Sequence, residues 1–177
     1  MTSKLLEGAL VEEATKKSGL IWVQGAAPAS DAGDRGTPAR PVWHVWHEGA
    51  ACVVGDGPGE QPLPGLVDGG EAVVTVRSKD KGGRIVTWPA QVVELAPGSP
   101  EWEAAVAELK GKRLNARDGE EMPQRWRREC RVLRLEPHGT TAPLPSDSQA
   151  AAPVPTPATT RHPMPAALPR LLRRRKR

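Results

Sequence analysis

Short apolar runs separated by polar breaks dominate this chain, and their spacing changes along it. In residues 3–17, SKLLEGALVEEATKK, Leu5, Leu6, Ala9, Leu10 and Val11 recur at helical spacing with charges between them, and Ser18-Gly19 ends the run. Leu20-Ile21-Trp22-Val23 reads as a first strand. Residues 25–38 form a polar loop rich in Gly and Pro, too long for a tight hairpin. Four strand-like runs then follow in close succession at 42–47, 52–55, 72–77 and 85–95. The short connections predict antiparallel hairpins or a meander. In the first of these runs, alternation puts Val42, His44 and Trp46 on one face and Trp43, Val45 and His47 on the other. Pro89 predicts a bulge or an edge position in the last of them.

Ser99-Pro100-Glu101 has the cap, the proline and the acid of a helix start. Trp102, Ala105, Val106 and Leu109 line one face of that helix, and Lys110, Lys112 and Arg113 suit its C-terminal end. Residues 115–124 read as a polar loop, 130–135 as the last strand, and Pro137 and Gly139 as its close. The pattern predicts a mainly β (α+β) domain over residues 1–139, with about six antiparallel strands and two helices.

From Thr140 onward the composition shifts to Ala, Pro, Thr and Ser, with eight of the 19 prolines, which predicts a disordered tail over 140–177. Charge divides at the same place. Residues 141–177 hold seven of the 25 Lys and Arg and only one of the 21 acids, Asp147. Residues 1–140 therefore carry 18 basic and 20 acidic side chains, so the domain is slightly acidic and the basicity belongs to the tail. Nucleic-acid binding is expected to be weak and to run through that tail alone. The apolar runs are too short for a membrane span, and residues 1–25 lack the pattern of a secretory leader, which predicts a cytoplasmic protein. Cys52 and Cys130 read as reduced, buried thiols.

No Ser-His-Asp or Cys-His arrangement can be assembled from the sequence. The segment Arg77-Ser78-Lys79-Asp80-Lys81-Gly82-Gly83-Arg84 is the best anion site in the domain, because four cations flank a Gly-Gly turn that can expose N–H groups. The alternative is a solvated hairpin tip whose charges protect a sheet edge. His44 and His47 lie three apart on a strand and so face opposite sides, which argues against a shared metal ion. Trp43 offers a flat apolar wall for a ring system, or else a core or dimer contact.

The stretches RPVWHVWHEGAACVV, AVVTVRSKDKGGRIVTWPAQVVEL and PEWEAAVAELKGKRLN resemble, in order, strands two and three, strands four and five, and the late helix of the pyridoxamine 5'-phosphate oxidase-like, FMN-binding split-barrel family. The resemblance covers residues 3–137. It implies a split β-barrel, a homodimer, and FMN or a deazaflavin in the groove between subunits, with hydride or electron transfer on a small-molecule substrate. In that family the phosphate is usually held by Arg, Lys, Ser or Thr around the third strand and the loop after it. Here that loop reads GDGPGEQPLPG, with Asp56 and Glu60 and no such donor. Any bound flavin is therefore expected to find its phosphate cations instead in Arg77, Lys79 and Arg84 of the hairpin between strands four and five, with Trp43 and His44 beside the ring. The alternative is a non-catalytic split-barrel dimer that has lost the cofactor and acts through its dimer surface and basic tail.

Overall fold

A computed structural model of the chain describes residues 2–25, 38–114, 116 and 118–143, with side chains from Leu5 onward. The elements are α1 (Thr2–Lys17), β1 (Leu20–Gly25), β2 (Arg40–Trp43), β3 (Val45–His47), β4 (Ala50–Gly55), β5 (Glu71–Arg77), β6 (Arg84–Glu94), α2 (Pro100–Lys112), α3 (Met122–Glu129) and β7 (Arg131–Pro137). The compact unit they build spans Met1–Leu144. The expected disorder of the tail concerns residues that, from 144 onward, lie outside the described ones.

Seven strands form one antiparallel sheet in the order β2-β1-β5-β6-β7-β4-β3. Its two outermost strands are consecutive in the chain and are separated by His44 alone. One stretch of backbone therefore pairs with β1 through Val42 and Trp43, and with β4 through Val45 and His47. That continuity brings the two edges of the sheet together and closes it into a split barrel. The run read from sequence as one strand is thus two, broken at His44. The alternation nevertheless survives the break: Val42 and Trp46 pack inward, Trp43 and Val45 outward.

The interior is filled by side chains of alternate residues, among them Ile21, Val23, Val53, Val74, Val76, Val86, Trp88, Val92, Leu133 and Leu135, and is joined by Val11 of α1. A second core lies outside β3, β4 and β7, where α2 and α3 cover the sheet with Trp102, Val106, Leu109, Met122 and Trp126. Strand β4 lies between the two cores, and all six of its residues are buried. That is why it reads as a continuous apolar run. The outer face of β1, β5 and the start of β6 instead leaves Leu20, Val73 and Ile85 exposed.

Helix α3 departs from the expected loop at 115–124 and from a strand beginning at 130. Met122 and Trp126 are its only buried residues in eight, too few for a periodic signal, and Cys130 is its C-cap. Ser99 caps α2 as its sequence indicates, accepting a bond from the Trp102 N–H at 3.1 Å. The β3–β4 hairpin turns on Glu48 and Gly49, both at positive φ (45° and 76°), the pairing of conformations that a two-residue turn requires.

Pro89 lies opposite Val73 with no register shift; the irregularity in this hairpin falls at Val76/Arg77. Pro89 O accepts the His138 N–H at 3.1 Å, beyond the last β7 pair, Ala90 with Pro137. A strand residue's N and C=O point the same way, so the missing N–H faces the side where β7 has ended. Past Gly139 the chain continues along β6. Ala142 N donates to Thr87 O at 2.8 Å, Arg84 binds Pro143 O, and Thr141 Oγ1 reaches Glu7 of α1 at 3.5 Å. This strap continues the domain beyond the expected boundary at 139. Among the described residues no helix is long and apolar enough to cross a membrane.

Candidate functional site

The C-terminal ends of α1 and α2 converge on the His44 bend. Each helix carries lysines in its last turn, where they complement the helix dipole. Their convergence gathers Lys16, Lys17, Lys112 and Arg113 around a cleft of about 510 Å³ that is also lined by Ser18, Trp43, His44 and Lys79. Three of the cations have partners: Lys16 with Glu12 at 2.5 Å, Lys17 with Glu13 at 2.9 Å and Arg113 with Glu60 at 3.2 Å. Among the described residues, Lys79 and Lys112 have none. The cleft therefore holds uncompensated positive charge beside an aromatic wall.

Trp43 is half-buried. Its ring packs against Trp126 at 6.5 Å, and the Arg113 guanidinium lies 5.1 Å from its centroid. Its Nε1–H is buried and finds no acceptor among the described residues. His44 is 7% exposed, and its Nε2 lies 3.0 Å from Thr15 O, so Nε2–H is the donor. Burial lowers its pKa to about 4, with Lys112 adding to the effect against the Thr15 bond, so the ring is neutral at physiological pH. In that tautomer Nδ1 is an acceptor, and it too is buried without a partner among the described residues.

Of the residues singled out in sequence, Trp43, His44 and Lys79 share this cleft. Arg77 lines an adjoining recess with Leu10, Glu13 and Ile85, and its guanidinium sits 4.7 Å from the Trp22 ring. Arg84 is drawn away to Pro143 O. The N–H groups of Ser78, Asp80 and Gly82 are bonded within their own turn, to Gly83 O, Ser78 Oγ and Ser78 O, so the hairpin's own contribution is its side chains. Sequence reasoning did not bring in Lys16, Lys17, Lys112 and Arg113. Their signal was present as basic helix C-termini, but nothing local says that two such ends meet.

Both acids of the 55–65 loop are already paired, Glu60 in the interior and Asp56 at the surface. The Glu60 side chain is fully buried and binds Arg113, Arg125 at 3.1 Å and Trp126 Nε1 at 2.9 Å. Asp56 accepts the Leu63 N–H at 2.7 Å and pairs with Arg131 at 3.2 Å. Gly57 packs so closely on β7 that an added Cβ would lie 2.3 Å from Cys130 Sγ. The loop is a brace between β4, α3 and β7 whose two acids are held in ion pairs. Cys52 is buried and Cys130 half-buried; both are free thiols, and burial raises both pKa values to about 11.

No family profile and no curated protein matches the chain. Solved structures do. HutZ, the heme storage protein from Vibrio cholerae, superposes with a TM-score of 0.52 at 12% identity, over 75% of this chain and 90% of HutZ. A FAD-binding protein from Mesorhizobium loti gives 0.45 at 11% identity, over 73% of this chain and 86% of its own. A FAD and heme binding protein from Mycobacterium smegmatis gives 0.41 at 16% identity, over 90% and 92%. The likeness to HutZ is one of fold, and the split β-barrel that the family resemblance implied is the fold observed.

Proposed function

We propose that the chain binds a flavin-type nucleotide, FMN or a deazaflavin, in the cleft at the His44 bend. The observation that carries this reading is the gathering of Lys79, Lys112 and Arg113 beside Trp43 and His44. A phosphate requires cations and N–H donors, and these three side chains supply them. A ring system requires a flat wall and polar edges. Trp43 supplies the wall, and the unpartnered Trp43 Nε1–H and His44 Nδ1 supply one donor and one acceptor. When bound, a flavin contributes hydride or electron transfer on a small substrate; the chain's residues hold and orient it. We also propose a homodimer, supported by the exposed Leu20, Val73 and Ile85 on the uncovered sheet face.

The test is to titrate FMN, a deazaflavin and riboflavin against wild type, Lys79→Ala and Lys112→Ala. FMN should bind more tightly than riboflavin, which lacks the phosphate. Each lysine variant should lose about tenfold in FMN affinity while leaving riboflavin unchanged. Equal affinity for FMN and riboflavin overturns the phosphate assignment. Hemin in the same series asks whether the cleft takes the ligand that HutZ stores.

A second reading, a non-catalytic barrel dimer, is favoured by the ion pairs that already engage Lys16, Lys17 and Arg113. Binding of none of these ligands by a dimeric protein would establish it as the better one.

A further inference from the structure

Beside the His44 cleft lies a recess of about 460 Å³ between α1 and the β5–β6 hairpin, within the range that organic ligands occupy. It shares Lys17, Ser18 and Lys79 with that cleft, but the rest of its lining differs in kind. Leu10 and Ala14 of α1 and Ile85 of β6 make it apolar, and Arg77 and Lys79 give it charge.

The apolar part is open to water. Leu10 and Ile85 are 48% and 40% exposed although both line a concave surface. Leu6 and Ala14 lie four residues to either side of Leu10 and continue its row along α1. An apolar body laid against this row would be stabilised by the surface it removes from water.

The charged part is set for an anion. The Arg77 guanidinium lies over the Trp22 ring, 4.7 Å from its centroid. That stacking fixes the plane of the group and leaves its edge of N–H donors unused. Neither Arg77 nor Lys79 has a carboxylate partner among the described residues. Glu13 is the acid in this lining, and it is paired with Lys17 at 2.9 Å.

We propose that the recess binds an amphipathic carboxylate, a single carboxyl group on an alkyl chain. The Arg77 fork takes the two carboxylate oxygens, Lys79 adds a second positive charge, and Leu10, Ala14 and Ile85 cover the chain. A carboxylate suits the site better than a phosphate ester, because Glu13 stands in the same lining and repels a dianion. The proposal does not rest on nucleotide binding, since Arg77, Leu10 and Ile85 lie outside the lining of the His44 cleft.

Octanoate, kept below its micelle concentration, is the probe. Octanol has the chain without the charge, and acetate has the charge without the chain. All three are titrated by calorimetry against the full chain, Arg77→Gln and Leu10→Gln, both at exposed positions. Wild type should bind one octanoate saturably, at least about tenfold more tightly than either control. Arg77→Gln should lose about tenfold in octanoate affinity and leave octanol unchanged. Leu10→Gln should weaken octanoate and octanol alike while the thermal midpoint stays level, since glutamine suits a helix as well as leucine does. Absence of saturable octanoate binding, equal affinity for octanoate and either control, or unchanged octanoate binding in a folded Arg77→Gln protein would each overturn the proposal. Sedimentation with phosphatidylglycerol vesicles in the absence of octanoate binding would make this face a membrane contact instead. Octanoate affinity that falls as rising protein concentration drives dimerisation would give the recess to a second copy of the chain, and would equally overturn it.

Discussion

The side chain of Gln61 holds the backbone of Trp43 at both its polar atoms. Oε1 accepts the Trp43 N–H at 2.9 Å and Nε2 donates to Trp43 O at 2.9 Å, with a further bond from Nε2 to Val54 O at 3.1 Å. One side-chain amide thus stands in for a strand partner where β2 gives way to β3. It ties the bend that closes the barrel to β4, and it fixes the tryptophan that walls the cationic cleft.

Replacing Gln61 with Leu should therefore cost about 1–3 kcal/mol, because three main-chain groups lose their partner in a half-buried place. Urea denaturation of the two proteins reads this directly. A loss below about 0.5 kcal/mol would mean that water replaces the amide at no cost.

Glu60 should tolerate removal poorly. Its buried carboxylate is shared by Arg113, Arg125 and the Trp126 indole. Breaking a fully buried pair costs about 3–5 kcal/mol, and here both arginines reach solvent, so about 2–3 kcal/mol is expected for Glu60→Ala. The same denaturation experiment measures it, and the variant should also perturb the environment of Trp43 through Arg113, visible in its fluorescence.

His44 makes stability depend on pH. Its folded pKa of about 4 lies below the ordinary 6.5, so between these values the unfolded chain binds a proton that the folded one refuses. Stability from this group is fully present above pH 6.5 and falls as pH drops toward 4, by about 3 kcal/mol at the low end. His44→Gln should flatten the stability profile over that window. An equally steep profile in the variant would assign the slope to carboxylates instead.

The strap predicts different outcomes for two truncations. A chain ending at Leu144 should keep the full chain's thermal midpoint. One ending at Gly139 loses the Ala142–Thr87 and Arg84–Pro143 bonds and should melt a few degrees lower. Equal midpoints for both would show that the strap adds nothing to stability.

Thiol reactivity should separate the cysteines. Burial holds both pKa values near 11, so neither should react quickly with a disulfide reagent at neutral pH. Cys130, half-buried, should react before Cys52, which should wait for unfolding. A rapid reaction of Cys52 in the native protein would contradict its place between the two cores.

Some of this molecule was determined by its sequence alone. Strands β1, β5 and β6 were legible because a short run of Val, Ile, Trp and Thr bounded by turn formers is a local property of the chain. Helix α2 was legible because Ser99, Pro100 and a four-residue apolar face all point to the same element. Helix α3 was not, since two buried residues in eight make no period, and its place was set by Trp126 packing on α2 and β7. Nor was the break at His44: the alternation of 42–47 is the same whether that stretch serves one partner strand or two, and barrel closure made it two. The candidate cleft divides the same way. Trp43, His44 and Lys79 could be named from residue type, but their meeting with Lys112 and Arg113 depended on two helix ends converging on one bend. A distance between residues far apart in the chain is the sum of many packing choices, and no single segment carries it.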